Sequence, residues 1–283
     1  MKVTNEMGLP KAFKLAVNTE RHNKAGCYSA TTLLHGSKET ILSERHYEEM
    51  ETDVADNVWS IWGTAVHSIF EKVNDETFKE VDLQTEVEGV TVTGRVDNYD
   101  MQNEILVDWK TASAWKVIYK DFKDWKKQGL IYAWLMKKNG MKVKKCRFIA
   151  LLKDHSKTEA KRKPEYPQKP VYIYEFEVTD EDLQEIEKFI FNKVKELKAF
   201  NDLLDDEIPE CTCEERWATS DKFAVMKTGR KTAVKVCETK EEAINIVAGK
   251  KDFYLEERKG ENKKCNDYCP CAEFCHFYKS LNK

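Results

Sequence analysis

A chain of 283 residues has room for one large domain, or for one domain and a small module. Hydrophobic residues are 41% and charged residues 34%, a balance that fits a globular protein with a heavily charged surface. The longest apolar stretch, around residues 130–136, is too short to cross a bilayer, and no apolar leader opens the chain, so a cytoplasmic protein is expected. The net charge of −3 gives no global basic field.

Residues 1–26 are weakly patterned and read as an arm with a short helix. Residues 59–73 form a helix, with Trp62, Val66, Ile69, Phe70 and Val73 as its apolar stripe. Residues 89–97 alternate as a strand, and a turn at 101–103 leads into a second strand at 104–110, so the two read as a hairpin. A helix over 121–139 stops at Gly140. Strands follow at 146–152 and 171–178, separated by a basic, proline-bearing loop, and then a long amphipathic helix at 179–204 with an acidic first turn. Beyond a boundary near residue 205 the pattern changes. A hairpin over 222–237 precedes a helix opened by a capping box of Thr239 and Glu242, and then a short strand at 253–257. The expected organisation is an arm (1–26), a core (27–205) and a C-terminal module (206–283).

Basic residues cluster three times: Lys110 to Lys127, Lys157 to Lys163, and Lys227 to Lys235. Each alone reads as a solvated face. Together, flanking an acidic motif, they suit a nucleic-acid groove better.

That motif is Gly94-Arg95-Val96-Asp97 followed by Val107-Asp108-Trp109-Lys110. Residues two apart on a strand share a face, so Asp108 and Lys110 project together, and the hairpin is expected to bring Asp97 beside them. Two carboxylates and an ammonium on one spot suit phosphodiester hydrolysis. Carboxylate oxygens hold Mg²⁺ or Mn²⁺, and a protonated lysine stabilises charge on the phosphate. An Asp-x-Lys pattern alone is weak and also fits an ordinary surface ion pair. His67 on the preceding helix is a possible further ligand, though a lone histidine is more often structural. Gln128 and Tyr132, four apart on the following helix, point their polar tips the same way. Glu86 faces either the same cleft or solvent.

The order G-x-x-V-H, G-R-V-D, V-D-W-K-T and Q-x-x-x-Y resembles the PD-(D/E)XK nuclease superfamily, and within it the RecB-type exonucleases with their CRISPR-associated and phage relatives. The resemblance covers roughly residues 29–152. It implies an α/β (α+β) fold with a restriction-endonuclease-like mixed central sheet flanked by helices. It further implies that His67, Asp97 and Asp108, with the Trp109 carbonyl, bind metal, that Lys110 is the catalytic lysine, and that Gln128 and Tyr132 contact DNA or support the site. The second acidic position is Asp108, where many members carry glutamate.

Nine cysteines are present, four of them in Cys265-x₃-Cys269-x-Cys271-x₃-Cys275. Thiolates this close suit one soft metal centre, zinc or iron–sulfur, better than a set of free thiols. The same relatives carry three C-terminal cysteines and a remote fourth around a [4Fe–4S] cluster. By that resemblance Cys265, Cys269 and Cys275 are the trio; the relatives' remote ligand precedes the core, where Cys27 stands, but Cys211, closer in sequence, is preferred as the fourth, with Cys271 and Cys213 as rivals. Cys146 and Cys237 lie on expected strands and read as buried small hydrophobes. Trp217 and Phe223 could stack on bases, with core packing as the better default. The expected function is a metal-dependent DNA exonuclease acting on single strands or ends, in phage or mobile-element recombination, replication or DNA breakdown. The rivals are a non-cleaving DNA-end binder and an adaptor working with a separate helicase or recombination partner.

Overall fold

In a computed structural model, residues 1–17 and 26–281 are described. They divide into two compact units, Met1–Leu203 and Leu204–Lys283. The expected N-terminal arm falls partly outside the described residues. Its described part holds strand β1 (Lys2–Thr4) and helix α1 (Lys11–Ala16).

The first unit continues with β2 (Cys27–Ser29), α2 (Ser37–Arg45), β3 (Glu51–Asp53), α3 (Val58–Glu71), β4 (Phe78–Val87), β5 (Val90–Asp100) and β6 (Ile105–Ala112). Then come α4 (Ala114–Ile118), α5 (Lys123–Lys138), β7 (Lys145–Leu152), α6 (Lys157–Arg162), β8 (Val171–Glu177) and α7 (Asp180–Asn201). Six strands make one mixed sheet in the order β2-β5-β6-β7-β8, with β4 beside β5. β6 and β7 run parallel, while β4–β5 and β7–β8 are antiparallel. Helices flank the sheet: α5 packs on β4, β5, β6 and β7 and against α7, and α3 packs on β5 and β6. The expected mixed α/β class is the observed one.

The local chemistry explains these elements. Thr179 opens α7 with a full capping box to Asp182, and three acidic residues in its first turn favour the helix N-terminus. Glu88 and Gly89, both with positive φ, form the two-residue turn that joins β4 to β5. Helix α5 buries Leu130, Ile131, Trp134, Leu135 and Met136 against the sheet. Its approach depends on Gly94, where a Cβ would lie 2.7 Å from Leu135 Cδ1 and 3.0 Å from the Tyr132 ring. The stretch expected as a plain basic loop contains α6, capped by Ser156.

The second unit contains β9 (Lys222–Lys227), β10 (Lys235–Cys237), α8 (Lys240–Val247), β11 (Phe253–Arg258), α9 (Lys263–Asp267) and α10 (His276–Leu281). Its three-stranded sheet has β9 at the centre, antiparallel to both neighbours. One core cluster is Val225, Cys237 and Ala243, with Phe223, Ile246, Val247, Phe253 and Leu255 packed around them, and Ile208, Ala224, Met226 and Cys271 are buried as well. Cys146 and Cys237 are both buried. Phe223 belongs to this core, whereas Trp217 is half exposed and packs on Tyr268, 5.2 Å between ring centroids.

Candidate active site

The site forms where the sheet comes apart. β5 and β6 pair only at Asn98–Val107, Tyr99–Leu106 and Asp100–Ile105. Since β4 holds one edge of β5 throughout, β2 and β6 share the other, and β2 pairs there at Thr91 to Thr93. The edge of β5 from Gly94 to Asp97 is thus left open between them.

The β4–β5 ladder is irregular at the same level. It pairs Lys79 with Asn98 and Val81 with Val96 but skips Glu80 and Asp97, which face each other in register. Glu80 has φ of 47°, a left-handed conformation that costs a residue with a Cβ about 1 kcal/mol or more. Burial also breaks its alternation here, since Val92, Val96 and Tyr99 are all fully buried. The irregularity re-aims Asp97 and Glu80, as bulges beside active sites commonly do.

Asp97 therefore reaches α3. Its Oδ1 lies 3.2 Å from His67 Nδ1, and its Oδ2 accepts a 2.8 Å hydrogen bond from the Trp109 backbone N–H. His67, Glu80 and Asp97 each offer a ligand atom, and these atoms lie within 4.8 Å of one another. The hydrogen bond to Asp97 makes His67 hold its proton more readily than a free imidazole, against the effect of burial. Burial, and then the Asp97 charge, push the Glu80 carboxyl upward.

Asp108 and Lys110 make the second part. Both are on β6, and Lys110 Nζ sits 2.7 Å from Asp108 Oδ2. The contact is close enough for an ion pair, yet its angles leave Oδ2, which is buried, without an aligned hydrogen bond. Lys110 instead donates at 2.8 Å to Gln128 Oε1, and Gln128 Nε2 donates at 3.1 Å to the Tyr132 hydroxyl. Gln128 and Tyr132 are buried on α5, and burial pushes the Tyr132 phenol well above its ordinary range. Asp108 is 3% exposed, and desolvation pushes its carboxyl up to about 6, with Lys110 opposing and the Asp97 charge reinforcing the rise.

The structure therefore joins the expected residues differently from a simple hairpin. Asp108, Lys110, Gln128 and Tyr132 form one chain of contacts toward α5. Asp97 and His67 form another toward α3. The Trp109 N–H links Asp97 to the backbone next to Asp108. Asp108 is not among the residues whose ligand atoms converge with His67 and Asp97; among the described residues that third place belongs to Glu80. Trp109, expected to contribute its carbonyl, engages through its N–H, and its ring stacks on Phe70 at 4.3 Å. Glu86 pairs with Thr91, six residues or about 20 Å along β5 from Asp97, and is exposed. Glu80 was findable in the sequence. Taking Glu88-Gly89 as a two-residue turn pairs Val87 with Val90, and counting outward sets residue 80 opposite 97.

The donor set fits a hard divalent cation. An ion bound at about 2.1 Å holds its ligands roughly 3 to 4 Å apart, compatible with the His67–Glu80–Asp97 spacing. Two adjoining carboxylates repel each other, and a cation relieves that repulsion. The unaligned, buried Asp108 Oδ2 is a further oxygen suited to the purpose.

The cysteines gather in the second unit. Cys265 is on α9, and Cys269 Sγ lies 3.6 Å from Cys271 Sγ. Cys271 is buried, while Cys211, Cys265, Cys269 and Cys275 are half-buried and Cys213 is exposed. The segment after Cys211 is docked onto this region. Lys264 N–H donates to Arg216 O, Ala218 bridges to Asn262, and the Arg216 guanidinium lies 4.1 Å from the Phe277 ring centroid. Arg216 also donates to Cys213 Sγ at 3.6 Å. Cys27 is on β2 in the first unit.

No protein-family model matches the chain, and no curated protein matches it. Among solved structures it is similar to the SSO0001 protein, at 16% identity and a TM-score of 0.47, over 65% of this chain and 82% of that one. It is similar to a phage-related exonuclease from Haemophilus somnus, at 12% identity and a TM-score of 0.31, over 58% of this chain and 71% of that one. It is also similar to LHK-Exo, solved in complex with dAMP, at 15% identity and a TM-score of 0.34, over 62% of this chain and 90% of that one. Exonucleases are thus among its structural neighbours, at likenesses too low to assign this chain an activity. No helix among the described residues is long and apolar enough to cross a membrane.

Proposed function

We propose that this chain is a metal-dependent nuclease that hydrolyses phosphodiester bonds of DNA, acting on single strands or ends. The observation that carries the reading is the pairing of buried Asp108, ion-paired to half-buried Lys110, with the adjoining His67–Glu80–Asp97 cluster, at the level where β5 and β6 separate. His67, Glu80 and Asp97, with Asp108 alongside, would hold Mg²⁺ or Mn²⁺. When bound, such a cation neutralises charge building on a phosphate and makes water a better nucleophile.

The protein's own groups divide the remaining work. Lys110 points its side-chain nitrogen at Asp108, where it would meet negative charge that grows on the phosphate in the transition state. Gln128 fixes that nitrogen through Oε1, and Tyr132 fixes Gln128 in turn. Asp97 orients His67 and ties itself to the Trp109 peptide, which sets the two parts in register. The Phe70–Trp109 stack packs α3 against β6 beside the site.

In the second unit we propose a cysteine-bound metal centre, a [4Fe–4S] cluster or Zn²⁺, that ties the 211–217 segment to the C-terminal cysteines. The docking of that segment supports Cys211 as the remote ligand beside Cys265, Cys269 and Cys275. The 3.6 Å Cys269–Cys271 spacing, near the roughly 3.8 Å between thiolates on one tetrahedral zinc, keeps Cys271 as its rival. Visible absorbance of anaerobically purified protein separates iron from zinc. For the main reading, the test is degradation of end-labelled single- and double-stranded DNA with Mg²⁺ or Mn²⁺, alongside EDTA controls. Product that depends on the added cation supports it. Tight DNA binding with no product on any substrate points instead to a non-cleaving binder.

A further inference from the structure

The C-terminal end of β6, just past Lys110, carries a group of aromatic rings that the protein leaves in solvent. Trp59 and Trp62 on α3 are 56% and 51% exposed, and Trp115 and Tyr119 on α4 are 53% and 73% exposed. Rings this large are normally buried, and two exposed pairs of them flanking one strand end mark a binding surface more often than a chance arrangement.

Hydrogen bonds and contacts hold the two helices at this place. The Gly63 Cβ position is 3.7 Å from Thr111 Oγ1, which sets the first half of α3 against the end of β6. Lys153 N–H donates to Ala112 O at 2.9 Å, and its ammonium lies 3.8 Å from the Trp59 ring centroid. Asp154 accepts from Ser113 Oγ at 2.6 Å and from the Ala114 N–H at 2.7 Å, which anchors the start of α4. Trp115 and Tyr119 stack on each other, 5.8 Å between centroids with planes 26° apart. Trp59 lies on the same row of α3 as Gly63 and His67, eight residues or about 12 Å from the metal-binding histidine.

We propose that these rings form a stacking platform for the bases of a single nucleic-acid strand, feeding it to the catalytic centre. The inference rests on the nuclease reading and narrows its substrate to strands with unpaired bases. The chemistry favours that occupant. Every base has an apolar face for a ring to cover, and this contact is independent of sequence. Duplex bases are stacked on one another and turn only their edges outward, so they cannot use such a surface. Lys120, next to Tyr119 in sequence, and Lys153, whose ammonium covers one face of Trp59 and leaves the other open, are both exposed and supply the positive charge a phosphate backbone requires.

The test measures fluorescence anisotropy of a labelled, cleavage-resistant phosphorothioate oligothymidylate with the full-length protein. Trp59→Ala, Trp115→Ala and Tyr119→Ala are each expected to weaken binding about tenfold. Trp59→Phe and Tyr119→Phe, which keep a ring, are expected to stay close to wild type. A blunt phosphorothioate duplex is expected to change less than about twofold with any of the five. Melting curves matched to wild type establish that the exposed positions leave the fold intact. Wild-type oligothymidylate affinity in the alanine variants overturns the platform, as does an equal loss on the duplex. Cleavage of ordinary DNA, measured separately, distinguishes the two failures. Ring-independent binding with normal cleavage removes the platform alone, and ring-dependent binding with no cleavage removes the nuclease reading alone.

Discussion

Within Met1–Leu203, a six-stranded sheet between helices buries Leu106, Phe148, Trp134 and Ile190 almost completely. Leu204–Lys283 has a three-stranded sheet and a core centred on Val225, Cys237 and Ala243. The first unit has apolar surface to spare and places ionisable groups in its interior. The second gathers buried residues around Val225, Cys237 and Ala243 and concentrates its cysteines. Units of this size often need a staple of disulfide or metal. One unit therefore uses its stability to hold an electrostatically costly site. The other is expected to draw stability from the cysteine-bound metal centre proposed for it.

The largest effect expected is on cleavage. Asp108→Ala and Lys110→Ala should each lower the rate on end-labelled DNA by about 10³-fold or more, with circular dichroism unchanged. Full activity in either variant would remove the first unit's interior ionisable groups from catalysis. Glu80→Gln sharpens the point. If Glu80 holds metal, this variant needs more Mn²⁺ for half-maximal rate, while a solvent-facing glutamate would leave that requirement unaltered.

The second unit should respond to its cysteines as the first responds to its carboxylates. Cys265→Ser or Cys275→Ser should release the bound metal and leave residues 204–283 open to proteolysis, since the binding energy of a structural metal is folding energy, commonly about 10 kcal/mol or more. The six-stranded sheet and the helices flanking it should resist the same protease. Cys146→Ser, in the first unit's core, should keep full metal content. An intact second unit without metal would end the contrast.

The two units also differed in how far their sequence could be read. The Asp108–Lys110 couple follows from strand alternation, and the Gln128–Tyr132 contact from four-residue helical spacing. Buried Cys146 and Cys237 follow from their places on strands. The site's other half does not follow from periodicity. Glu80 and Asp97 are re-aimed by a ladder irregularity, and strand alternation carries no sign of one. The β5–β6 separation has the same character, because a hairpin reading assumes pairing along its full length. In the second unit, cysteine spacing announces a centre, but which four sulfurs form it depends on how the 211–217 segment folds back. That return rests on backbone contacts of Arg216 and Ala218 that no short motif encodes.

The electrostatic cost of the first unit's site can be measured as pH-dependent stability in metal-free protein. Burial pushes the Asp108 carboxyl up to about 6 in the folded protein, against an ordinary value of 3.8. Between these values the folded protein keeps a proton that the unfolded chain has lost. Stability should therefore fall as pH rises through roughly 4 to 6, and the full penalty should persist above that window. About two pKa units correspond to at most about 3 kcal/mol. Asp108→Asn should flatten this slope and raise the melting temperature at pH 7.5 while abolishing cleavage. An unchanged slope would mean that Asp108 is not the group whose ionisation the fold resists.

The smallest effect expected comes from packing alone. In Gly94→Ala, the new methyl would meet Leu135 Cδ1 at 2.7 Å and the Tyr132 ring at 3.0 Å. Overpacking of this kind costs about 1 to 3 kcal/mol. Leu135 is fully buried and has little room to yield, so α5 must shift away from β5. That shift would carry Gln128 and Tyr132 with it and loosen the hold on Lys110. The first unit should melt lower and cleave more slowly, whereas the second unit's metal content should stay the same. Because Gly94 has no charge and is not a ligand, slower cleavage here would show that the site depends on helix-to-sheet distance. Lower stability with undiminished cleavage would show that the Lys110–Gln128–Tyr132 chain tolerates a displaced α5, and that its geometry is set from β6.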